Sequence, residues 1–177
     1  MVNSTLKIKQ LLKETFLSVE RLNKIATPYL DKMRGYGYDS FCTLDSNISF
    51  SGVPLHSAVA IVLNDKNQIL LGRSTDQDDR NGTLCFLGGG IDNDEGCGYA
   101  AIREAWEEAG IDVEAELINP NCQGGVAFVI CKYVDGEINH NNEFSEMNWY
   151  DLDFLPWKDI YYKNIGPLKH IISLNKK

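Results

Sequence analysis

Apolar residues recur at helical spacing from Thr5 to about Thr27, where Leu6, Leu11, Leu12, Phe16, Val19, Leu22 and Ile25 fall on one stripe. Ser4 fits the N-cap, Pro28 closes or kinks this helix, and YLDKMRGYGYD carries it a turn further to Gly35 and Gly37. Residues 40–55 lack a sustained period, with room for one short strand. From Ser57 the pattern changes. SAVAIVLND (57–65) and QILLGRS (68–74) predict two strands joined by a polar turn at Lys66-Asn67. TDQDDRNG (75–82) is a polar loop, and TLCFLGGG (83–90) is a short apolar run into glycines. Residues 96–109 predict a helix ended by Gly110, with Asp92 or Asp94 near its start. IDVEAELI (111–118) and GGVAFVICKYVDG (124–136) predict further strands, and INHNNEFSEMN (138–148) a polar loop. WYDLDFLP (149–156) predicts a strand and turn, and WKDIYYKNIGPLKHIISL (157–174) a closing helix. Strands and helices intermixed in this order predict an α/β fold, a mixed sheet with helices on both faces.

Composition narrows the class. A chain of 177 residues holds one ordinary domain plus an extension, which we place at 51–177 and 1–50. Hydrophobic content of 44% with 24% charged residues is that of a globular protein. No apolar run approaches the roughly 20 residues that cross a membrane. The start, MVNSTLKIKQLLKETF, lacks an apolar signal core and cleavage site, so no membrane association or export is expected. Cys42, Cys85, Cys97, Cys122 and Cys131 form no C-x-x-C pair, which argues against zinc or a disulfide framework and fits a reducing cytoplasm. A net charge of −8 without a basic patch disfavours DNA as a partner. Such a protein binds phosphates only where arginines, backbone amides or a metal offset its own field.

One stretch bears on that condition. On the predicted helix Glu104, Glu107 and Glu108 stand at i, i+3 and i+4 and project from one face, while Ile102, Ala105 and Ala109 lie on another. Like charges so placed repel, by a few tenths of a kcal/mol per pair when exposed and by more when partly buried. A hard cation such as Mg²⁺ relieves that repulsion. A solvated acidic face is the other reading, and the helix alone does not separate the two.

The neighbours do. Gly89, five residues, Glu95, seven residues, then Arg103-Glu104-Ala105-Trp106-Glu107-Glu108-Ala109-Gly110-Ile111 resembles the Nudix box of the Nudix hydrolase (MutT-related) superfamily. The box pattern is G, five residues, E, seven residues, R-E-U-x-E-E-x-G-U, with U bulky and apolar; Ala105 is small for its place. The resemblance implies a Nudix-type α/β/α sandwich and hydrolysis of a diphosphate linkage in a nucleoside diphosphate joined to another moiety. It implies Mg²⁺ or Mn²⁺ held by Glu104, Glu107 and Glu108, with Glu95 near the metal shell and Arg103 pairing with a glutamate. Gly88 and Gly89 would shape the loop around the substrate, with Arg73 as a phosphate contact. A carboxylate from a later loop serves as base or extra ligand in some relatives; Glu143 is preferred here over Glu146.

Other residues carry weaker expectations. Arg80 has a place in a loop that can reach a ligand. Phe86, Tyr150 and Tyr161 are conceivable base-stacking aromatics but fit core or surface packing better. His56, His140 and His170 show no partner spacing, and Cys97 reads as filler. Leu84 and Leu87 stand where relatives commonly have tryptophan and proline. NCQGGVAF lacks the proline of many ADP-ribose hydrolases and the tyrosine of many dinucleoside polyphosphate hydrolases, so the substrate class stays open. The competing reading is a non-catalytic, nucleotide-sensing Nudix-like module, for which lost box glutamates would be expected. Cap hydrolysis is disfavoured by charge, and isopentenyl diphosphate isomerisation by the intact box. The N-terminal stripe is expected to pack on the sheet or on a second subunit, giving a homodimer.

Overall fold

The computed structural model describes residues 54–93 and 95–175, so the predicted N-terminal helix and the extension over 1–50 lie outside the described residues. The chain divides into two units, Met1–Asp39 and Ser40–Lys177, and the described fold belongs to the second. Its strands are β1 (Ser57–Leu63), β2 (Gln68–Ser74), β3 (Leu84–Cys85), β4 (Leu87–Gly90), β5 (Asp112–Gln123), β6 (Val126–Asp135) and β7 (Phe144–Asp151). The helices are α1 (Cys97–Ala109) and α2 (Ile165–Asn175), the latter preceded by a 3-10 turn over Tyr162–Asn164. Among the described residues no helix is long and apolar enough to cross a membrane.

β1 organises the sheet. It runs parallel to β6 over its whole length, while its other edge is shared antiparallel between β2 at Leu63 and β4 from Ser57 to Ala60. β2 in turn pairs antiparallel with β3 and with β7, and β5 closes the sheet antiparallel to β6. The run 84–90 thus fills the place where β1 and β2 part, and this brings the glycines beside the sheet centre. At the β1–β2 turn Asn67 takes a positive φ of 61°, and the Asn64 side chain accepts the Lys66 and Gln68 amides.

Alternation along β1 sends its side chains into two cores. Ala58, Ala60 and Val62 pack with Cys97, Ala100, Ala101, Ala105 and Ala109 of α1. Val59, Ile61 and Leu63 pack with Leu168 and Ile171 of α2. The small residues of α1 let the helix approach the sheet closely, which sets the depth of its outer face. The result is the expected α/β/α sandwich around a mixed sheet.

Several features differ from expectation, among them a strand over Leu87–Gly90 where glycine loop was expected and a β5 that runs on to Gln123. The predicted loop 138–148 is strand from Phe144 onward, because Phe144 and Met147 are buried and the intervening polar residues face out along the β2 edge. The closing helix begins at Ile165 rather than 157, since the backbone before it is committed to β3: Asp159 accepts from Leu84 (2.7 Å), and Tyr161 donates back to Leu84 (3.0 Å). Pro167 then falls in the first turn of α2, where its missing amide costs nothing. Asp92 does not cap α1; the N-cap is Gly96, with no side-chain cap bond.

Candidate active site

The site is built where β4 meets the outer face of α1. β4 is held against β1, and α1 ends at Gly110, whose left-handed conformation (φ 67°) lets its amide bond back to the Trp106 carbonyl. Helix ends leave carbonyls without intrahelical donors. Here the loop after β6 supplies them: the Asn139 amide donates to Ala109 (2.9 Å) and the Asn141 amide to Glu108 (3.0 Å). That docking carries Glu143 to the C-terminal end of the carboxylate face.

Arg103 is the hub. Its Nε and Nη2 grip the two oxygens of Glu95 at 3.1 and 3.0 Å, and Nη1 reaches Glu104 (2.7 Å) and Glu107 (3.0 Å). Nη2 also donates to the Gly90 carbonyl at 2.8 Å, tying the hub to β4. Asp92 stands 4.0 Å from Nε. So many anionic partners hold the guanidinium well above its ordinary pKa, the Glu95 bonds first among them. The same contact keeps the Glu95 carboxyl below the usual carboxylate range.

The glutamates of the helix are not equivalent. Glu107 is exposed, whereas Glu104 and Glu108 are only 8% and 3% exposed. Burial pushes the Glu104 carboxyl upward against the pull of Arg103. It pushes Glu108 up to about 9, opposed by the Gly88 amide and reinforced by the charges of Glu143 and Glu104 and by a hydrogen bond shared with Glu143. Glu108 Oε2 accepts from the Gly88 amide at 2.8 Å.

The glycines are explained by close approach. A Cβ on Gly88 would press on the Ala58 carbonyl oxygen, and a Cβ on Gly89 would lie 2.5 Å from Glu104 Oε1. Among the described residues nothing lies within 4 Å of a Cβ on Gly90. Two of the three glycines are therefore needed here, one by the sheet and one by the carboxylate.

The later carboxylates separate in space. Glu143 comes to Glu108, whereas Glu146 binds Arg73 Nε at 2.6 Å. Arg73 Nη1 also donates to the Gly82 carbonyl at 2.7 Å. Arg80 pairs with Asp76 (2.8 Å) and Asp78 (3.0 Å) on its own loop. Phe86 is buried edge-on to Phe128, Tyr150 packs in the α2-side core, and the Tyr161 hydroxyl donates to Asp79 at 3.1 Å. Cys97 is fully buried in the α1 core. His56 contacts the Gly124 carbonyl at 2.9 Å, at the turn between β5 and β6. Asn141 and Thr75, absent from the residues singled out by motif, hold the Glu143 loop through their bonds. The H-N-N-E run, an Asx-turn signal just before a carboxylate, was the cue available.

Among the described residues no three His, Cys, Asp or Glu side chains converge as a ready-made metal cage, since Arg103 engages Glu104 and Glu107. The donor set nevertheless fits a hard divalent cation. It consists of carboxylate oxygens, and two of the carboxyl groups are buried close to a third acid, a cost that such a cation offsets.

Known proteins share the family and the fold. A family model, the NUDIX domain, matches residues 54–167. A Nudix hydrolase from Nitrosomonas europaea is similar at 22% identity, covering 65% of this chain and 69% of that one, with a TM-score of 0.56. An ADP-ribose pyrophosphatase from Streptococcus suis is similar at 25% identity over 68% of this chain and 91% of that one, TM-score 0.54. A MutT protein from Methanosarcina mazei shares 22% identity over 68% and 94% of the two chains, TM-score 0.55. No curated protein matches the chain. With the family match spanning more than half of its length and the box geometry in place, the chain belongs to the Nudix family, as a Nudix hydrolase.

Proposed function

We propose that this protein hydrolyses the diphosphate linkage of a nucleoside diphosphate joined to another moiety, with a divalent cation, Mg²⁺ or Mn²⁺, at the α1 face. Glu104, Glu107 and Glu108 would hold the cation, with Glu95 at the edge of its shell. The bound cation would supply a Lewis acid for the diphosphate oxygens. The carrying observation is the placement of Glu143 against Glu108 at the end of that face. Glu143 would take the proton from the attacking water, whose oxygen forms the new P–O bond as the bridging P–O bond breaks. Arg103 joins Glu95, Glu104 and Glu107 through one planar guanidinium, which would limit their freedom to turn away from the site. Gly88 and Gly89 would let the diphosphate approach the backbone, and Arg73 would contact a phosphate from β2.

The ADP-ribose pyrophosphatase similar to this chain puts ADP-ribose among the first nucleotides to try. The proposed partner is a small nucleotide, with neither DNA nor a membrane involved, and the proposed setting is a homodimer in the cytoplasm. The nucleotide-sensing alternative gains nothing here, because every box glutamate is present. The test is a panel of nucleoside triphosphates, ADP-ribose, NADH, nucleotide sugars and dinucleoside polyphosphates with Mg²⁺ and Mn²⁺, scored by phosphate release with and without phosphatase. Turnover of one class supports the reading. No turnover across the panel favours the sensor.

A further inference from the structure

Glu143 is an exposed residue on a loop, and its carboxylate reaches the carboxylate face only while that loop is held. One residue does most of the holding. The Asn141 amide donates to the Glu108 carbonyl at 3.0 Å, so Asn141 is attached to the very turn of α1 that carries Glu108. Its side chain then spans Glu143: Oδ1 accepts the Glu143 amide at 2.9 Å, and Nδ2 donates to Glu143 Oε1 at 3.3 Å. From the other side the Thr75 amide donates to the Glu143 carbonyl (2.9 Å) and Thr75 Oγ1 to the Asn142 carbonyl (2.8 Å). Phe144 follows, buried with its ring against Gly72. The Glu143 backbone is thus fixed from several elements, whereas its carboxylate is steadied by Asn141 Nδ2 and by Glu108.

We propose that Asn141 is a positioning residue, which holds the Glu143 carboxylate against Glu108 and thereby sets the geometry in which Glu143 acts. This rests on the reading of Glu143 given above. The amide side chain suits the task because it offers an acceptor and a donor at once. An aspartate would place a second negative charge beside Glu143, and an alanine would return the glutamate to free rotamer sampling.

The test uses Mn²⁺ alone as the probe, titrated into metal-free full-length protein and followed by EPR. Four proteins form a double-mutant cycle: wild type, Asn141→Ala, Glu143→Gln and the double variant, with Glu108→Gln as the control for the metal site. Glu143→Gln is expected to weaken Mn²⁺ binding by about tenfold, as for groups that support a metal site. Asn141→Ala is expected to weaken it by a similar factor, and the double variant to match Glu143→Gln within about twofold. A merely structural role would add its effect to that of Glu143→Gln. Should Asn141→Ala fail to fold, Asn141→Ser, whose hydroxyl can still accept the Glu143 amide, takes its place in the cycle. If Glu143→Gln weakens binding while the Asn141 variants bind as wild type, or if the effects add, the role of Asn141 is overturned and the reading of Glu143 stands. If Glu143→Gln itself binds Mn²⁺ as wild type while Glu108→Gln does not, this inference falls, and the role of Glu143 as base is decided separately by the kcat of Glu143→Gln.

Discussion

Glu108 accepts a hydrogen bond of 2.8 Å from the amide of Gly88, twenty positions earlier in the chain. The bond fastens α1 to β4 and spends one carboxylate oxygen on the backbone, and burial keeps the group protonated far above the usual range, up to about 9. In an unfolded chain the same carboxyl ionises near 4.5. The folded protein therefore binds more protons than the unfolded one between these values, and the metal-free protein loses stability as pH rises from about 4.5 toward 9. Glu108→Gln keeps the acceptor for Gly88 and removes the charge. Its metal-free melting temperature should exceed that of wild type at pH 8 and approach it at pH 5. A gain of about 1 kcal/mol moves the midpoint by about 2–4 °C in a chain of this size. Calorimetry at the two pH values checks this.

The same shift couples metal to protons. A cation ligated by Glu108 must displace the proton that burial retains there, so binding at pH 7 should release protons and strengthen as pH rises. Titration calorimetry in two buffers of different ionisation enthalpy reads the proton count directly. Zero release would remove Glu108 from the ligand set.

Arg103 reaches Glu95, Glu104, Glu107 and the Gly90 carbonyl with one planar group. A lysine keeps the charge but cannot reproduce that fork. Arg103→Lys should weaken cation affinity by about 10–100-fold, the range for groups that orient metal ligands. Metal titration monitored by Mn²⁺ EPR is the check, with circular dichroism to confirm the fold.

The neighbouring glycines give a paired contrast. Gly89→Ala places its new carbon 2.5 Å from Glu104 Oε1 and must displace that carboxylate, whereas Gly90→Ala meets none of the described residues within 4 Å. Turnover should fall by about tenfold or more in the first, comparable to losing support for a metal ligand. It should stay close to wild type in the second. Steady-state rates on the same nucleotide decide it.

Glu143 and Glu146 also differ in a measurable way. Loss of a general base costs about 10²–10⁴-fold. Glu143→Gln should lie in that range, and Glu146→Gln, which only releases Arg73, should stay within roughly threefold of wild type, as for a partly exposed ion pair. The kcat values of the two variants are the measurement, and a reversed order would exchange their roles.

Much of this was legible in the chain because periodicity and spacing act locally. The run from Gly88 to Ile111 announces the three-carboxylate face and α1 with its Gly110 cap, whereas its glycines, expected as a loop, form strand β4 because β1 pairs with them. The two-sided alternation of β1 is likewise written in its own residues. What was not legible depends on distant partners. Phe144–Asn148 looks like polar loop until β2 provides an edge for it. Residues 157–164 look helical until Leu84 claims the backbone of Asp159 and Tyr161. The separation of Glu146 from Glu143 depends on Arg73, some seventy positions away, which draws Glu146 to itself. The two buried glutamates are indistinguishable from Glu107 by composition, because only packing against the sheet makes them so.

Glu107→Gln and Glu108→Gln show whether the α1 face holds a cation for diphosphate hydrolysis. With Mg²⁺ and the nucleotide that wild type turns over fastest, both should lose turnover by orders of magnitude while their circular dichroism is unchanged. Near-wild-type, Mg²⁺-dependent hydrolysis by either folded variant would contradict it.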